Sequence, residues 1–337
     1  MIVTNLRSSS INTFRSCPMA WFLEYNLGWD SGVNKAAIKG TIVHNVLELL
    51  ALLKKADQEG KTYIKSSNSQ LHTKDYLQTN KSLDKLTKKI YKLHTKKYDL
   101  NWVDQDQKDC IKWVRKTLVS WDGKFDPRER NIIEPEMFFD IEIIKPWSAY
   151  KYELSNGKIL QGFLKLRGTI DLICNMDNTI EILDWKTGKF LDWATSTPKT
   201  TESLKDDIQV RMYHYIVSKL YPNHQIIITM VYINNVGPIS IYLNDDDISK
   251  TEKILKNHFQ TMRDSSPICK KSWKCGRFCE YNKSDFSNTT VTPIKHDKIL
   301  SKCEQISYIL QYRDEQQVIT NMTNGNIFNN LEKYNQG

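Results

Sequence analysis

Residues 168–188 read GTIDLICNMDNTIEILDWKTG and have the pattern of a β-hairpin. Two β-rich runs flank the pair Asp177–Asn178, and these residue types tolerate the positive φ of a two-residue hairpin turn. A turn at this pair makes Met176 face Thr179. Counting back in equal steps along both strands places Asp171 directly opposite Asp184.

Directly opposed residues share one face of a sheet, with Cβ atoms about 4.5–5.5 Å apart. Lys186 lies two residues beyond Asp184 and therefore points to the same face. A slip of one residue would separate the aspartates, so this prediction depends on the register. Two opposed carboxylates repel each other, and a divalent cation that prefers oxygen ligands, Mg²⁺ or Mn²⁺, would compensate. A metal ion, a water molecule and a nearby lysine together can hydrolyse a phosphodiester bond. A surface hairpin with an ordinary Asp–Lys ion pair is the alternative.

Composition favours a folded protein with a polyanionic partner. The chain has 337 residues, of which 40% are hydrophobic, and a formal net charge of +9. Clustered lysines bind phosphate backbones by releasing counterions, although a solvated lysine face fits the same composition. We expect neither a membrane span nor a secretory signal, and therefore a cytoplasmic protein. The Lys-, Asn- and Ile-rich composition is typical of a bacterial or phage source.

Hydrophobic periodicity predicts alternating helical and β-rich regions. The predicted helices cover 8–26 with a break near Ser16–Cys17 before Pro18, 36–55, 83–98, 107–121, 204–220, 246–262 and 298–316. The predicted strands cover 132–144, 159–173, 179–185, 226–233 and 239–243.

Several motifs together resemble the PD-(D/E)XK nucleases, in their RecB-like branch. Gly168 and Asp171, followed by Asp184-Trp-Lys186-Thr-Gly188, resemble the two motifs of the catalytic hairpin. Three further segments resemble that branch in the expected order: Ser8–Tyr25 with Cys17-Pro18, Gly40–Glu48 with His44, and Gln209–Tyr213. Relatives of this kind include the nuclease domains of RecB and AddB, CRISPR adaptation nucleases and many phage exonucleases.

This resemblance implies a restriction-endonuclease-like α/β fold, with a mixed central sheet flanked by helices and a helical insertion. The corresponding regions are 1–55 for the N-terminal helices of the core, 56–127 for the helical insertion, 128–264 for the catalytic α/β core, 265–295 for a cysteine-bearing loop region and 296–337 for a C-terminal helix and loose tail.

The resemblance also implies a role for each motif residue. Asp171 and Asp184 would bind the metal ion, together with His44 and the backbone carbonyl of Trp185. Lys186 would be the catalytic lysine. The remaining implied catalytic residues, which would position the active site and the DNA, are Gln209 and Tyr213.

Seven cysteines without a signal region argue against a disulfide scaffold. In many relatives one N-terminal and three C-terminal cysteines hold a [4Fe–4S] cluster. The corresponding residues are Cys17, Cys269, Cys275 and Cys279, but their C-x₅-C-x₃-C spacing differs from the common C-x₂-C-x₅-C, and Asp285 stands where a last cysteine would fall. Zinc, or no ligand, is therefore an alternative. The predicted free thiols are Cys110, Cys174 and Cys303.

The resemblance implies a metal-dependent DNA exonuclease or end-processing nuclease of replication, recombination or repair. Its substrate would be single-stranded DNA or DNA with accessible ends, guided by the basic helices within 83–121. The sequence has no G-x-x-x-x-G-K-[ST] loop, so a helicase or recombination partner would supply any unwinding. The alternatives are a CRISPR-adaptation-type nuclease and an inactive nuclease fold that binds DNA as a scaffold.

Overall fold

The central strand of the structure is β7 (Lys165–Met176), which pairs with neighbours on both edges. Strand β4 (Ile132–Glu142) runs antiparallel to β7 along one edge. On the other edge β7 pairs with two strands: β8 (Thr179–Lys186) is antiparallel to it, and β1 (Asn5–Leu6) is parallel. Strand β9 then lies parallel to β8, and β10 antiparallel to β9. These last two strands of the mixed sheet are β9 (Gln225–Tyr232) and β10 (Gly237–Tyr242).

This is a computed structural model, and it describes residues 1–26, 32–61, 63–66, 69–71, 80–153, 157, 159–192, 195–272, 274–275, 279, 281, 294–295 and 298–299. Three two-stranded ribbons lie within these ranges: β2 (Tyr63–Ser66) with β3 (Ser69–Leu71), β5 (Ala149–Glu153) with β6 (Ile159–Phe163), and β11 (Ile294–Lys295) with β12 (Lys298–Ile299).

The β7–β8 hairpin has the predicted register. Met176 pairs with Thr179, and the ladder continues in equal steps to Leu172 opposite Leu183. Asp177 forms the turn with a φ of +57°, in the left-handed region that aspartate tolerates.

Helices cover both faces of the sheet, and each face has its own hydrophobic cluster. One cluster packs the N-terminal helices, α7 and α8 against residues such as Ile170 and Ile182. The other packs α3, α4 and α5 against residues such as Leu172 and Trp185. The helices are α1 (Ser8–Ser16), α2 (Pro18–Trp21), α3 (Lys35–Gln58), α4 (Asn80–Lys97), α5 (Asp104–Val119), α6 (Thr201–Lys205), α7 (Ile208–Leu220) and α8 (Asp245–Asp264).

The break predicted near Ser16–Cys17 is confirmed, because Cys17 is extended and Pro18 occupies the first turn of α2. Two predicted elements are wrong in extent. The single helix 204–220 is divided at Asp207, whose extended backbone lets its side chain accept a hydrogen bond from the Gln209 N–H, as an N-cap of α7. The single strand 159–173 is divided at Leu164, whose backbone bonds Ile143 and Ser148 instead.

Helix α3 is long and apolar enough to cross a membrane by length and composition alone. However, 56% of its apolar window is buried inside the protein, where it packs on β4, α4 and α5. The helix therefore has the character of a core helix. The predicted helix 298–316 and the tail beyond it lie outside the described residues, apart from the two residues of β12.

Candidate active site

Three carboxylates lie in a row across β4, β7 and β8. The pairs Pro135–Leu172 and Met137–Ile170 lie on either side of Glu136 and Asp171, which places these two opposite each other. Glu136 itself has a φ of +46°, so the ladder is interrupted at this point. On the other edge of β7, the register that ends at Leu172–Leu183 places Asp184 next to Asp171.

Helix α3 brings His44 to this row. Its Nδ1 lies 3.4 Å from Asp171 Oδ2, and its ring stands edge-on to Trp185. One turn earlier, a Cβ at Gly40 would lie only 2.8 Å from Thr187 Oγ1, so glycine permits the helix to approach the end of β8. The donor atoms of His44, Glu136 and Asp171 all lie within 4.8 Å of one another.

Asp184 faces a different set of partners. Its Oδ1 accepts a hydrogen bond from Gln209 Nε2 at 3.0 Å and lies 3.1 Å from the Tyr213 hydroxyl. Its Oδ2 lies 2.6 Å from Lys186 Nζ in an ion pair. Apart from that pair, no described residue gives the buried Oδ2 a hydrogen bond. This oxygen can therefore also coordinate a cation.

Gln209 and Tyr213 connect the lysine, the aspartate and β7. Gln209 Oε1 accepts from Lys186 Nζ at 2.9 Å, and Gln209 Nε2 donates to the Tyr213 hydroxyl at 2.7 Å. That hydroxyl also lies 2.7 Å from the Thr169 carbonyl. The two residues are one helical turn apart on α7, whose start is fixed by the Asp207 cap and by the Lys199–Asp207 ion pair. The helix thus holds the positions of Lys186 and Asp184.

Burial and neighbouring charges shift the pKa values of four groups in the site: His44, Glu136, Asp171 and Asp184. Burial alone would lower the pKa of His44, but the negative Asp171 outweighs this and raises it to about 9. Burial opposes ionisation of Asp171 too, yet His44 holds its pKa below the usual range. Burial, and then the repulsion from Asp171, raise the pKa of Glu136 to about 7. For Asp184, burial raises the pKa despite the neighbouring Lys186.

These residues fit a divalent cation. Carboxylate oxygens with one imidazole suit Mg²⁺ or Mn²⁺, and a cation would relieve the repulsion that raises the pKa of Glu136. His44, Glu136 and Asp171 would hold the ion, and the Asp184 Oδ2 is the further oxygen with bonding capacity. This metal-binding chemistry beside a lysine that points into the row is typical of phosphodiester hydrolysis.

The sequence pattern of the PD-(D/E)XK nuclease superfamily matches residues 7–284. The chain belongs to this superfamily. The fold agrees, since a mixed sheet flanked by helices is the architecture of these nucleases.

Two solved structures resemble the nuclease distantly. One is described as a "putative exonuclease" from Eubacterium rectale: identity is 12%, TM-score 0.43, and the match covers 87% of this chain and 91% of that one. The other is SSO0001, with 16% identity, a TM-score of 0.25 and coverage of 68% and 91%. No curated protein matches the sequence of the nuclease.

The structure brings together the residues that the sequence analysis singled out for catalysis. His44, Asp171, Asp184, Lys186, Gln209 and Tyr213 all contact a neighbour in the same site. The Trp185 N–H donates to Asp171 Oδ2 at 2.8 Å, while metal binding by its carbonyl stays a prediction. The sequence analysis gave no role to Glu136. Its position depends on the β4–β7 register, for which no local sequence signal exists.

The predicted cluster cysteines connect the two ends of the nuclease core. The Lys270 N–H lies 3.5 Å from Cys17 Sγ, and the Met19 N–H donates to the Ile268 carbonyl at 3.3 Å. Burial raises the pKa of the Cys17 thiol, and the neighbouring Cys269 adds to the shift. Among the described cysteines, no three sulfurs lie within 4.8 Å of one another, as they would around a tetrahedral zinc ion. The [4Fe–4S] site with Cys17, Cys269, Cys275 and Cys279 stays a prediction. Cys110 and Cys174 are free thiols, and Cys303 lies outside the described residues.

Proposed function

We propose that this superfamily member is a metal-dependent DNA nuclease that hydrolyses phosphodiester bonds at DNA ends or in single strands. One observation carries the proposal: Glu136, Asp171 and Asp184 lie in a row, with His44 against Asp171 and Lys186 against Asp184. Mg²⁺ or Mn²⁺ bound there would supply an activated water and a Lewis acid for the phosphate.

In this proposal, the side chains of the site have different roles. His44, Glu136 and Asp171 bind the metal ion, and Asp184 adds an oxygen. Lys186 stabilises negative charge that develops on the phosphate, because an ammonium group in a partly buried site acts strongly on a nearby anion. Gln209 orients that ammonium group through its Oε1, and Tyr213 holds Asp184 against β7.

Burial supports a preference for flexible DNA. Asp171 is 8% exposed and Asp184 only 1%, whereas the side chains of His44 and Lys186 are 27% and 29% exposed. A scissile phosphate must therefore enter a recess, which a single strand or frayed end does more readily than an intact duplex. Exonuclease or end-processing activity of the RecB-like kind, with a helicase or recombination partner, follows from the motif resemblance and is part of the proposal.

The decisive experiment compares cleavage of end-labelled single-stranded and duplex DNA by the wild type, Lys186→Ala and Lys189→Ala, with Mg²⁺, Mn²⁺ or EDTA. Lys189 is an exposed lysine three residues beyond Lys186 and serves as the matched control. We expect metal-dependent degradation that Lys186→Ala lowers by about 10²–10³-fold, as for loss of one transition-state contact.

Asp184→Asn should have a loss comparable to that of Lys186→Ala, while Lys189→Ala should cleave like the wild type. Strong DNA binding by the wild type with no cleavage in either Mg²⁺ or Mn²⁺ would contradict the proposal and indicate a scaffold instead. Release of mononucleotides from labelled ends, rather than internal cuts, would identify an exonuclease.

A further inference from the structure

Helix α4 presents an unusual stripe of positive charge to solvent. At 3.6 residues per turn its members fall within an arc of about 100° and extend over about 22 Å. Among the described residues, none of them forms an ion pair. The members of this lysine stripe, all exposed, are Lys81, Lys85, Lys88, Lys89, Lys92 and Lys96.

The opposite side of α4 is fixed in the protein. Leu83, Leu86, Ile90 and Tyr91 are buried in the hydrophobic cluster that α4 shares with α3. The helix therefore holds its lysines at fixed spacing on a rigid support. Leu93 is its one largely exposed aliphatic side chain, so the helix has no free apolar face with which to enter a lipid bilayer, as an interfacial helix requires.

The charge balance of α4 differs from that of another long surface helix in the same chain. Helix α4 has seven lysines and one acid, Asp84, which is occupied by Arg115. Helix α8 has four basic and five acidic residues, the mixture that solvated helices commonly show. From Lys85 to Lys96 the lysines of the stripe repeat at i+3 and i+4 with no acid between them, and such like-charge neighbours destabilise a helix unless an anion compensates.

The helix that carries the lysine stripe is a neighbour of the helix that carries His44. Helix α4 runs along α3, and His94 Nε2 is 3.0 Å from Asn45 Nδ2, in the residue next to His44. Lys92 and Lys96 flank His94 in sequence. Helix α3 therefore separates α4 from the metal-binding residues, and the stripe lies on the solvent side of α4.

We propose that the lysine stripe binds the sugar-phosphate backbone of the nucleic-acid substrate, independently of sequence, as a binding surface separate from the catalytic row. This inference rests on the proposed function. A length of about 22 Å spans about six phosphates of one duplex strand, at 3.4 Å per nucleotide. Point charges on flexible lysine stems suit phosphates and carry no base recognition.

The test is metal-free binding of fluorescein-labelled 40-nucleotide DNA, single-stranded and duplex, by fluorescence anisotropy in EDTA at several salt concentrations. The stripe variant is Lys85→Gln/Lys88→Gln/Lys92→Gln. The matched control, Lys151→Gln/Lys205→Gln/Lys253→Gln, removes the same charge from three exposed lysines outside α4. A Lys→Arg version of the stripe variant keeps the charge. Vesicles of phosphatidylserine and phosphatidylcholine provide an alternative polyanion.

We expect the stripe variant to lose at least about tenfold in affinity, and the slope of log K against log salt to fall by about 2–3, for three lost phosphate contacts. The charge control should lose far less, and the Arg version should bind like the wild type, which shows that a loss comes from charge and not from misfolding.

Equal affinity and slope in the stripe variant and the charge control would overturn the proposal. So would stripe-dependent binding to the vesicles without binding to DNA. This test measures binding and not cleavage, so it can contradict the binding role of the stripe without bearing on the nuclease activity. If the protein binds DNA through the stripe and never cleaves it, the role of the stripe is supported and only the proposed nuclease activity is contradicted.

Discussion

At the scale of single residues, Glu136 shows how an irregular backbone contributes to the site. Its φ of +46° is a left-handed conformation that non-glycine residues rarely adopt, and such outliers are retained where the surrounding structure holds them. Here the regular pairs on both sides of it fix the strand. The result is that a carboxylate on an edge strand joins His44 and Asp171.

Replacing Glu136 by Gln keeps the shape of the side chain and removes its negative charge. We expect Mn²⁺ affinity, measured by isothermal titration calorimetry, to fall at least about tenfold, because a hard cation loses a charged oxygen ligand. Glu134→Gln is the control, since Glu134 is engaged by Lys55 at the surface and should leave the affinity unchanged. If both variants bind Mn²⁺ like the wild type, Glu136 is not a ligand.

Tyr213→Phe removes the hydroxyl that lies between Gln209, the Thr169 carbonyl and Asp184. We expect the free energy of unfolding to fall by about 1–3 kcal/mol, since buried polar groups lose a partner. We also expect kcat to fall with little change in KM, because Asp184 loses a contact that positions it.

Tyr215→Phe on the same helix is the matched control for this change. Its buried side chain donates to Glu252 on α8, on the side away from the site. This variant should lose stability, measured by denaturant unfolding, and retain kcat. Equal kcat in both variants would argue against a positioning role for Tyr213.

At the scale of elements, the β7–β8 turn determines the register on which the site depends. Asp177 adopts a φ of +57° there, which β-branched side chains adopt only at high cost. We therefore expect Asp177→Val to lower the free energy of unfolding by about 1–2 kcal/mol, as measured by urea denaturation. Thr179→Val, two residues on in the strand, should be tolerated. A neutral Asp177→Val would mean that the turn does not hold the register.

Local sequence patterns predicted the elements whose signals lie within the chain segment itself. The alternating residues and the Asp177–Asn178 turn predicted the hairpin pairing that the structure shows, and Pro18 predicted the helix break. The division at Leu164 depends on backbone hydrogen bonds to Ile143 and Ser148, which lie well before it in the sequence. Glu136 was missed for the same reason. Pairing between strands far apart in sequence leaves no local signature.

At the scale of the whole molecule, the site lies where the two hydrophobic clusters meet. Leu172 belongs to the cluster of α3, and Ile173, the next residue of β7, to that of α7 and α8. Asp171 and Asp184 are thus supported by helices on both faces of the sheet, since His44 comes from α3 and Tyr213 from α7. Binding of a metal ion at this site would therefore stabilise the helix packing on both faces of the sheet.

We therefore expect Mn²⁺ to raise the melting temperature. At a concentration 100 times Kd, an ion that binds only the folded state stabilises it by about 2.7 kcal/mol, a shift of several degrees. Differential scanning fluorimetry with Mn²⁺ and with EDTA measures this difference. His44→Ala should show a much smaller Mn²⁺-dependent shift, whatever its own melting temperature. An equal shift in His44→Ala would place the stabilising ion elsewhere.

Each buried aspartate of the site lies beside a basic group of the same polypeptide: Asp171 beside His44, and Asp184 beside Lys186. A nascent chain that brings its own countercharges can close its interior without waiting for an inorganic ion. If the proposed metal ion binds at this site, acquisition of shape would come first and metallation second. The identity of that ion would then be decided after folding, by competition among the available cations.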